Sequence, residues 1–348
     1  MLDREPMSRV LVTGATGFVG ANVARLLVER GEEVRVLVRP TSARAGLAGL
    51  PVEIAVGDLR DAEAVRRAVR GCRRVFHVAA DYRFWARDPG ELYRSNVQGT
   101  LHVMEACLAE GVERVVHTST VGTIGLAALP APCDEHTPRV EGQLTSHYKR
   151  SKLQAEEAAL SYVARGLPLV VVNPSAPIGP WDARPTPTGQ MVVDFAHGKL
   201  RAVVDTGLNI VHVRDVAEGH LLAAERGRVG ERYILGHRNM TLAEIAAELS
   251  AVTGIPAPRL RLPYAVAWAA GAVSTALADW VTHRPPAVPL EAVRMARRRM
   301  FFDAAKAVRE LGLPQTPVRS AFEDAIAWFE ERGMVPRRTG RDVAWGSR

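Results

Sequence analysis

Apolar positions along this chain change period in a regular way. RVLVT (9–13) is an unbroken apolar run of strand length, and the residues after it switch to a helical spacing in which Val19, Val23, Leu26 and Leu27 share a face until Gly31. VRVLV (34–38), VEIAV (52–56) and RVFHV (74–78) read as further strands, with a polar helix over 61–69 before the last of these. A helix within 91–109, a strand over VERVVHTS (112–119), a helix over about 147–164 and a strand over LPLVVVN (167–173) follow. Six short apolar strands with helices between most of them predict a parallel sheet covered on both faces, because a strand buried on both sides shows no polar alternation. The expected class is α/β, doubly wound.

Later segments are less periodic. TLAE (241–244) has the form of a helix capping box, and SAFEDAIAWFEE (320–331) reads as an amphipathic closing helix. Residues 284–286, PTPTG and a tail over 336–348 read as loops, and no internal repeat occurs. The longest apolar stretch, 262–281, approaches the length of a membrane span but carries Pro263, Gly271, Ser274, Thr275 and Asp279, so it is expected to be a buried helix.

The first strand runs into TGATGFVG, with Gly14, Gly17 and Gly20 spaced three apart. In a parallel sheet ligands gather at the carboxyl ends of the strands. A glycine-rich turn there lets backbone N–H groups and a helix N-terminus approach a phosphate. Such a turn also serves simply to pack the helix closely on the sheet; the G-x-x-G-x-x-G spacing is one residue longer than the usual dinucleotide pattern. HYKRSK places Tyr148 and Lys152 four apart at the start of a helix, on one face. For a tyrosine with a reference pKa of about 10 to exchange protons near neutrality, neighbouring positive charge must lower that value by about two or three units, roughly 3–4 kcal/mol. An ammonium one turn away is the expected source.

Charge and cysteine content narrow the partners. The net charge is +7, but 41 of the 45 basic residues are arginines spread along the chain among 38 acids. That is an Arg-rich composition and not a nucleic-acid stripe. Three cysteines without metal or disulfide spacing, and a start lacking an apolar signal region, lead to an expectation of a cytoplasmic protein. Ten scattered histidines give no ligand pattern, and no metal is expected.

TGATGFVG, GDLRD (57–61), HVAA (77–80), NVQGT (96–100), HTSTVGTIG (117–125) and YKRSK (148–152), in that order, resemble the extended short-chain dehydrogenase/reductases. AADYRFWARDP, VVVNPSAPIGP, RPTPTGQ, DTGLNIVHVRDVAEGHLLA and RMFFDAAKAVRELG are similar to the branch holding dihydroflavonol reductases and hopanoid-associated sugar epimerases. The resemblance implies a Rossmann domain over 8–175, to which 208–226 returns, and a smaller C-terminal α+β substrate domain over 176–335. It implies Tyr148 as general acid/base, Lys152 binding the nicotinamide ribose, and Thr120, with Ser119 as its neighbour, polarising the substrate oxygen. Family cofactor contacts map onto Gly14, Thr16, Gly17, Phe18, Val19, Asp58, Leu59, Ala79, Ala80, Tyr148, Lys152, Pro174 and Ser175. Tyr82, Trp85, Trp181 and Asn209 are the candidate substrate contacts. The resemblance also implies a homodimer through helices over about 91–109 and 147–164.

The second strand ends in VLVRPTSAR, with Arg39 and Arg44 where an NAD site carries an acid. Arginine there pairs with a 2′-phosphate, so NADP(H) is favoured, with NAD(H) the alternative. NPSAPIGP is of the reductase type, and net hydride transfer between NADP(H) and a carbonyl or secondary alcohol, within hopanoid side-chain metabolism, is the first expectation. Redox-neutral epimerisation or dehydration of a sugar-like polyol, and a non-catalytic cofactor sensor or scaffold, stay open. A lipid-borne polyol substrate would bring the enzyme into peripheral contact with a membrane, through the apolar stretch and the arginines after it.

Overall fold

The computed structural model describes residues 8–337 apart from 84, 86, 127–130, 140, 141, 145, 285 and 287. Most of the predicted tail, and parts of the loops at 84–86 and 284–286, lie outside the described residues. The alternating half folds as its periodicity requires. Strands β1 (Arg9–Thr13), β2 (Val34–Val38), β3 (Glu53–Val56), β4 (Cys72–His77), β5 (Arg114–Thr118) and β6 (Leu169–Pro174) are parallel neighbours. Between them run α1 (Phe18–Glu29), α2 (Ala62–Val69), α3 (Gly90–Tyr93), α4 (Gly99–Glu110) and α5 (His147–Ser161). Residues 94–98, between α3 and α4, form a π-turn. Asp61 caps α2 through the N–H groups of Glu63 and Ala64, so the predicted helix begins one residue later than its cap.

The second half divides between three sheets. In chain order come β7 (Ala176–Ile178), α6 (Pro187–Ala196), β8 (Ala202–Val204), β9 (Gly207–His212), α7 (Val213–Arg226), β10 (Arg232–Leu235), β11 (Arg238–Thr241) and α8 (Leu242–Thr253). The remainder is β12 (Leu260–Leu262), α9 (Tyr264–Leu277), α10 (Leu290–Met295), α11 (Ala305–Leu311) and α12 (Val318–Glu331). Strand β10 pairs with β6 and makes the large sheet seven-stranded, in the order β10-β6-β5-β4-β1-β2-β3. This is a Rossmann α/β sheet. Helix α7 packs beside α1, whereas β9 belongs to a small sheet with β7 and β11, and β8 pairs with β12. Thr241 and Glu244 form the predicted capping box of α8.

Two cores cover the large sheet and a third fills the smaller lobe, where Phe195, Phe322 and Phe329 are buried against the small sheet. All three cysteines are buried. The lobes meet at Trp181, held at φ 73° with the Arg25 guanidinium 3.3 Å above its ring centroid and Arg332 5.7 Å from it.

One expectation fails. The apolar stretch 262–281 does form a helix, but Gly271 is the one buried residue of α9, because the helix packs mainly on α10 and, among the described residues, no other element packs extensively over its outer face.

Candidate functional site

The glycine turn at the end of β1 is shaped by contacts no side chain would survive. Gly14 sits at φ +75°, and a Cβ there would fall 2.6 Å from the backbone of Ala79 at the end of β4; a Cβ on Gly20 would strike the Gly14 carbonyl. Gly17 caps α1 without a side-chain hydrogen bond, and no acid occupies the first turn. The first-turn N–H groups are therefore open to an anion. Thr16 and Val19 are half-buried and Phe18 buried around this turn. At the end of β2, Arg39 and Arg44 are exposed, and neither is held by an ion pair among the described residues. Arg39 lies near enough to Asp58 to help hold its carboxyl below the usual range, although the main cause is the hydrogen bond from Arg60. The Leu59 carbonyl bonds the His102 ring at 2.8 Å, and Gly99 packs on the Leu59 side chain.

A chain of buried hydrogen bonds links these strand ends to α5. The Ala79 N–H donates to Thr13 Oγ1, which lies 2.8 Å from His77 Nδ1; His77 Nε2 lies 3.0 Å from Thr100 Oγ1. Thr100 spends its proton on the Asn96 carbonyl at 2.6 Å, so His77 Nε2 must be the donor and Nδ1 the acceptor. Burial, helped by Lys152, lowers the His77 pKa to about 3 and keeps the ring neutral. From the π-turn, Asn96 accepts from the Asp81 N–H and donates to the Asp81 carbonyl and to Ser151 Oγ, which donates to the Tyr148 carbonyl. The π-turn thus fixes the loop after β4 and the first turn of α5 together. His117, whose ring centroid is 5.2 Å from that of His77, is buried with neither ring nitrogen hydrogen-bonded among the described residues.

Tyr148 and Lys152 lie on one face of α5. The Tyr148 hydroxyl lies close enough to Thr120 for that side chain to act on its pKa in the lowering direction; burial pushes the pKa up to about 12, and the nearby Asp81 and Tyr82 raise it. Lys152 Nζ donates to the Thr118 carbonyl at 2.7 Å, and desolvation brings its own pKa down to about 8 against the opposing pull of Glu156. The Ser119 hydroxyl lies 3.5 Å from Thr123 Oγ1.

Thr120 is held from behind. Its carbonyl accepts from Thr123 Oγ1 at 2.8 Å and from Asn173 Nδ2 at 3.0 Å, and its Oγ1 accepts from the Gly122 N–H. Glu156 Oε2 accepts from Asn173 and shares the single Thr123 hydroxyl proton with the Thr120 carbonyl, each at 2.8 Å, while its Oε1 lies 3.3 Å from Arg232. Sequence reasoning missed Glu156, although it stands four residues after Lys152 on the same helical face.

Ala79, Ala80, Pro174 and Ser175 lie just beyond or at the ends of β4 and β6, on the same sheet edge; the Ser175 N–H is tied to the Leu235 carbonyl. Tyr82 is 45% exposed and electrostatically coupled to Tyr148. Trp85 Nε1 donates to Asp279 at 2.7 Å, joining the loop after β4 to the turn after α9. Trp181 is half-buried, with the Arg25 guanidinium 3.3 Å over its ring and Arg332 5.7 Å from the centroid. Asn209 is placed otherwise than expected: it is buried, with its amide donating to Asn239 and to the Phe302 carbonyl while its oxygen accepts from the His237 N–H. Among the described residues no cluster of ligating side chains could hold a metal.

Residues 10–236 match the model of the NAD dependent epimerase/dehydratase family. The chain belongs to that family. It is 46% identical over 332 residues to a putative dihydroflavonol 4-reductase of Synechocystis sp., covering 93% of this chain and 95% of the relative. To sterol demethylase protein B of Methylococcus capsulatus it is 40% identical, covering 93% and 99%. The crystal structure of gox2253 superposes with a TM-score of 0.84 at 47% identity, covering 94% of this chain and 99% of that one. This family member is thus an extended short-chain dehydrogenase/reductase, an NAD(P)-dependent enzyme acting on a small-molecule substrate. The glycine cradle and the uncapped start of α1 fit a dinucleotide pyrophosphate.

Proposed function

We propose that the chain is an NADPH-dependent carbonyl reductase, running in reverse as an alcohol dehydrogenase, whose substrate is carried on an isoprenoid-derived lipid such as a hopanoid. The observation that carries this reading is the nearness of the Thr120 side chain to the buried Tyr148 hydroxyl. With its pKa near 12, Tyr148 holds its proton at neutral pH and is poised to give it to a developing alkoxide, while the Thr120 hydroxyl polarises the same oxygen. Nicotinamide, when bound, supplies the hydride in reduction and takes it in oxidation. Gly14, Gly17 and the first turn of α1 would hold its pyrophosphate, Asp58 and Leu59 its adenine side, and Lys152 its ribose. Exposed Arg39, with Arg44 beside it, supports a 2′-phosphate and hence NADP(H) over NAD(H). The lipid assignment is supported by the likeness to a protein named sterol demethylase protein B. A cytoplasmic enzyme, homodimeric through α4 and α5 and touching the inner face of the membrane, suits that substrate class.

The test is turnover of ketones, aldehydes and polyols by the purified protein with NADPH and NADP+, beside Tyr148→Phe. Stoichiometric NADPH consumption that falls about a hundredfold or more in the variant is expected. Turnover without net change in cofactor would make the enzyme an epimerase, and wild-type rates in Tyr148→Phe would remove the tyrosine from the mechanism.

A further inference from the structure

Helix α9 and the turn after it leave an apolar stripe in water. Val266 is 52% exposed, Val273 62%, Leu277 50% and Trp280 82%. Val266, Val273 and Leu277 are spaced by seven and four residues, so they fall on one side of the helix. The inner side is spent on α10, where a Cβ on Gly271 would come within 3.0 Å of Val293. Apolar patches of this kind mark a surface that something else covers. No helix among the described residues is long and apolar enough to cross a membrane, so the stripe is suited to lying along an interface and not to spanning one.

Charge specifies what covers it. Residues 255–300 contain seven arginines against two acids, so 46 residues carry five of the protein's seven net positive charges. Both acids are committed: Asp279 accepts from Trp85, and Glu291 pairs with Arg294 at 2.8 Å. Arg259, Arg261, Arg284 and Arg297 are exposed. A stripe of apolar side chains accompanied by exposed guanidinium groups that no ion pair holds among the described residues complements a surface that is oily below and anionic above. The same positive excess opposes pairing of this arm with its own copy.

We infer that α9 and residues 278–282 lie in the headgroup region of an anionic phospholipid bilayer, and that the Trp85–Asp279 hydrogen bond keeps the loop beside Tyr148 against that surface. The docking stands on exposure and charge; its use in delivering substrate rests on the reductase reading above. A lipid substrate would then reach Tyr148 without crossing bulk water.

Co-sedimentation with phosphatidylcholine vesicles, with and without phosphatidylglycerol, tests it. The protein should pellet with the anionic vesicles at low salt, and raised salt should release it. The doubly substituted Val273→Ser, Trp280→Ser protein should bind about tenfold or more weakly, with its melting temperature and its reduction of water-soluble cyclohexanone unchanged. Absence of binding at low salt, or equal binding by the double variant, overturns the inference. So does a dimer-to-monomer shift in the variant without vesicle binding by the parent, which assigns the stripe to a second copy. Vesicle binding by a protein that reduces no carbonyl upholds the docking and defeats the functional reading alone.

Discussion

The ammonium of Lys152 is buried one turn along α5 from Tyr148. Lys152 faces the Thr118 carbonyl, and burial has brought its pKa down to about 8, below the 10.5 of a free lysine. The sign follows directly. The ammonium is disfavoured in the folded state, so its cost to stability is present in full below pH 8 and is relieved as pH rises from about 8 toward 10.5. Activity moves the opposite way if the charge is needed: kcat/KM for reduction should fall as pH rises through about 8. In Lys152→Arg, which cannot lose its charge in that range, the falling limb should move to higher pH, as a pH–rate profile would register. At the cofactor's other end, Arg39→Ala should weaken NADPH by about 1–3 kcal/mol and NADH much less. Titration of both nucleotides checks this, and equal losses would remove Arg39 from the 2′-phosphate site.

Helix α5 carries more than its two named residues. Glu156, one turn beyond Lys152, is buried and holds Thr123 and Asn173, which together grip the Thr120 carbonyl. Glu156→Gln keeps the shape and loses the charge, so it should lower kcat about tenfold through misplaced Thr120 while KM for the nucleotide stays near the parent value. Separate kcat and KM measurements decide it, since a merely structural fault would lower the melting temperature without this split. The elements that were legible in the sequence were those whose signal is local. The strand–turn–helix at 9–29 and the Tyr148/Lys152 spacing are encoded within one or two turns of chain. Strands β8, β10 and β12 have three or four residues each, too few to show a period, and went unread. The chain from Thr13 through His77, Thr100 and Asn96 to Ser151 joins residues up to 64 positions apart, and nothing local announces such a partner. Hydropathy identified α9 as apolar but could not tell whether another element would lie over it. The surroundings of Trp181 and Asn209 are illegible in the sequence for a related reason: side chains near strand ends face either the cleft or the joint between lobes, and their neighbours Arg25, Arg332 and Phe302 arrive from distant segments.

At the scale of the whole molecule, the two lobes are joined through α1 itself. Arg25 on that helix stacks on Trp181, and Asn22 one turn earlier donates to the Pro180 carbonyl at 3.0 Å. The helix whose start would cradle the nucleotide phosphate therefore also anchors the smaller lobe. Assembly is expected to use the opposite side of the sheet, where α4 and α5 pack together. Light scattering should give twice the 37.8 kDa chain mass, and a species of chain mass alone would exclude the homodimer.

The burial of Cys72, Cys107 and Cys133 has a practical consequence. Cys72 and Cys107 lie in the core between the large sheet and its helices, where burial raises both thiols away from the reactive thiolate, and Cys133 is enclosed where its backbone bonds residues 301 and 303. The native surface offers no sulfhydryl to air or to an alkylating reagent. Each thiol is in effect a sealed tag, read only when the fold around it opens, so maleimide uptake can time the parting of the sheet core and the release of the 300–303 segment as separate events in an unmutated protein.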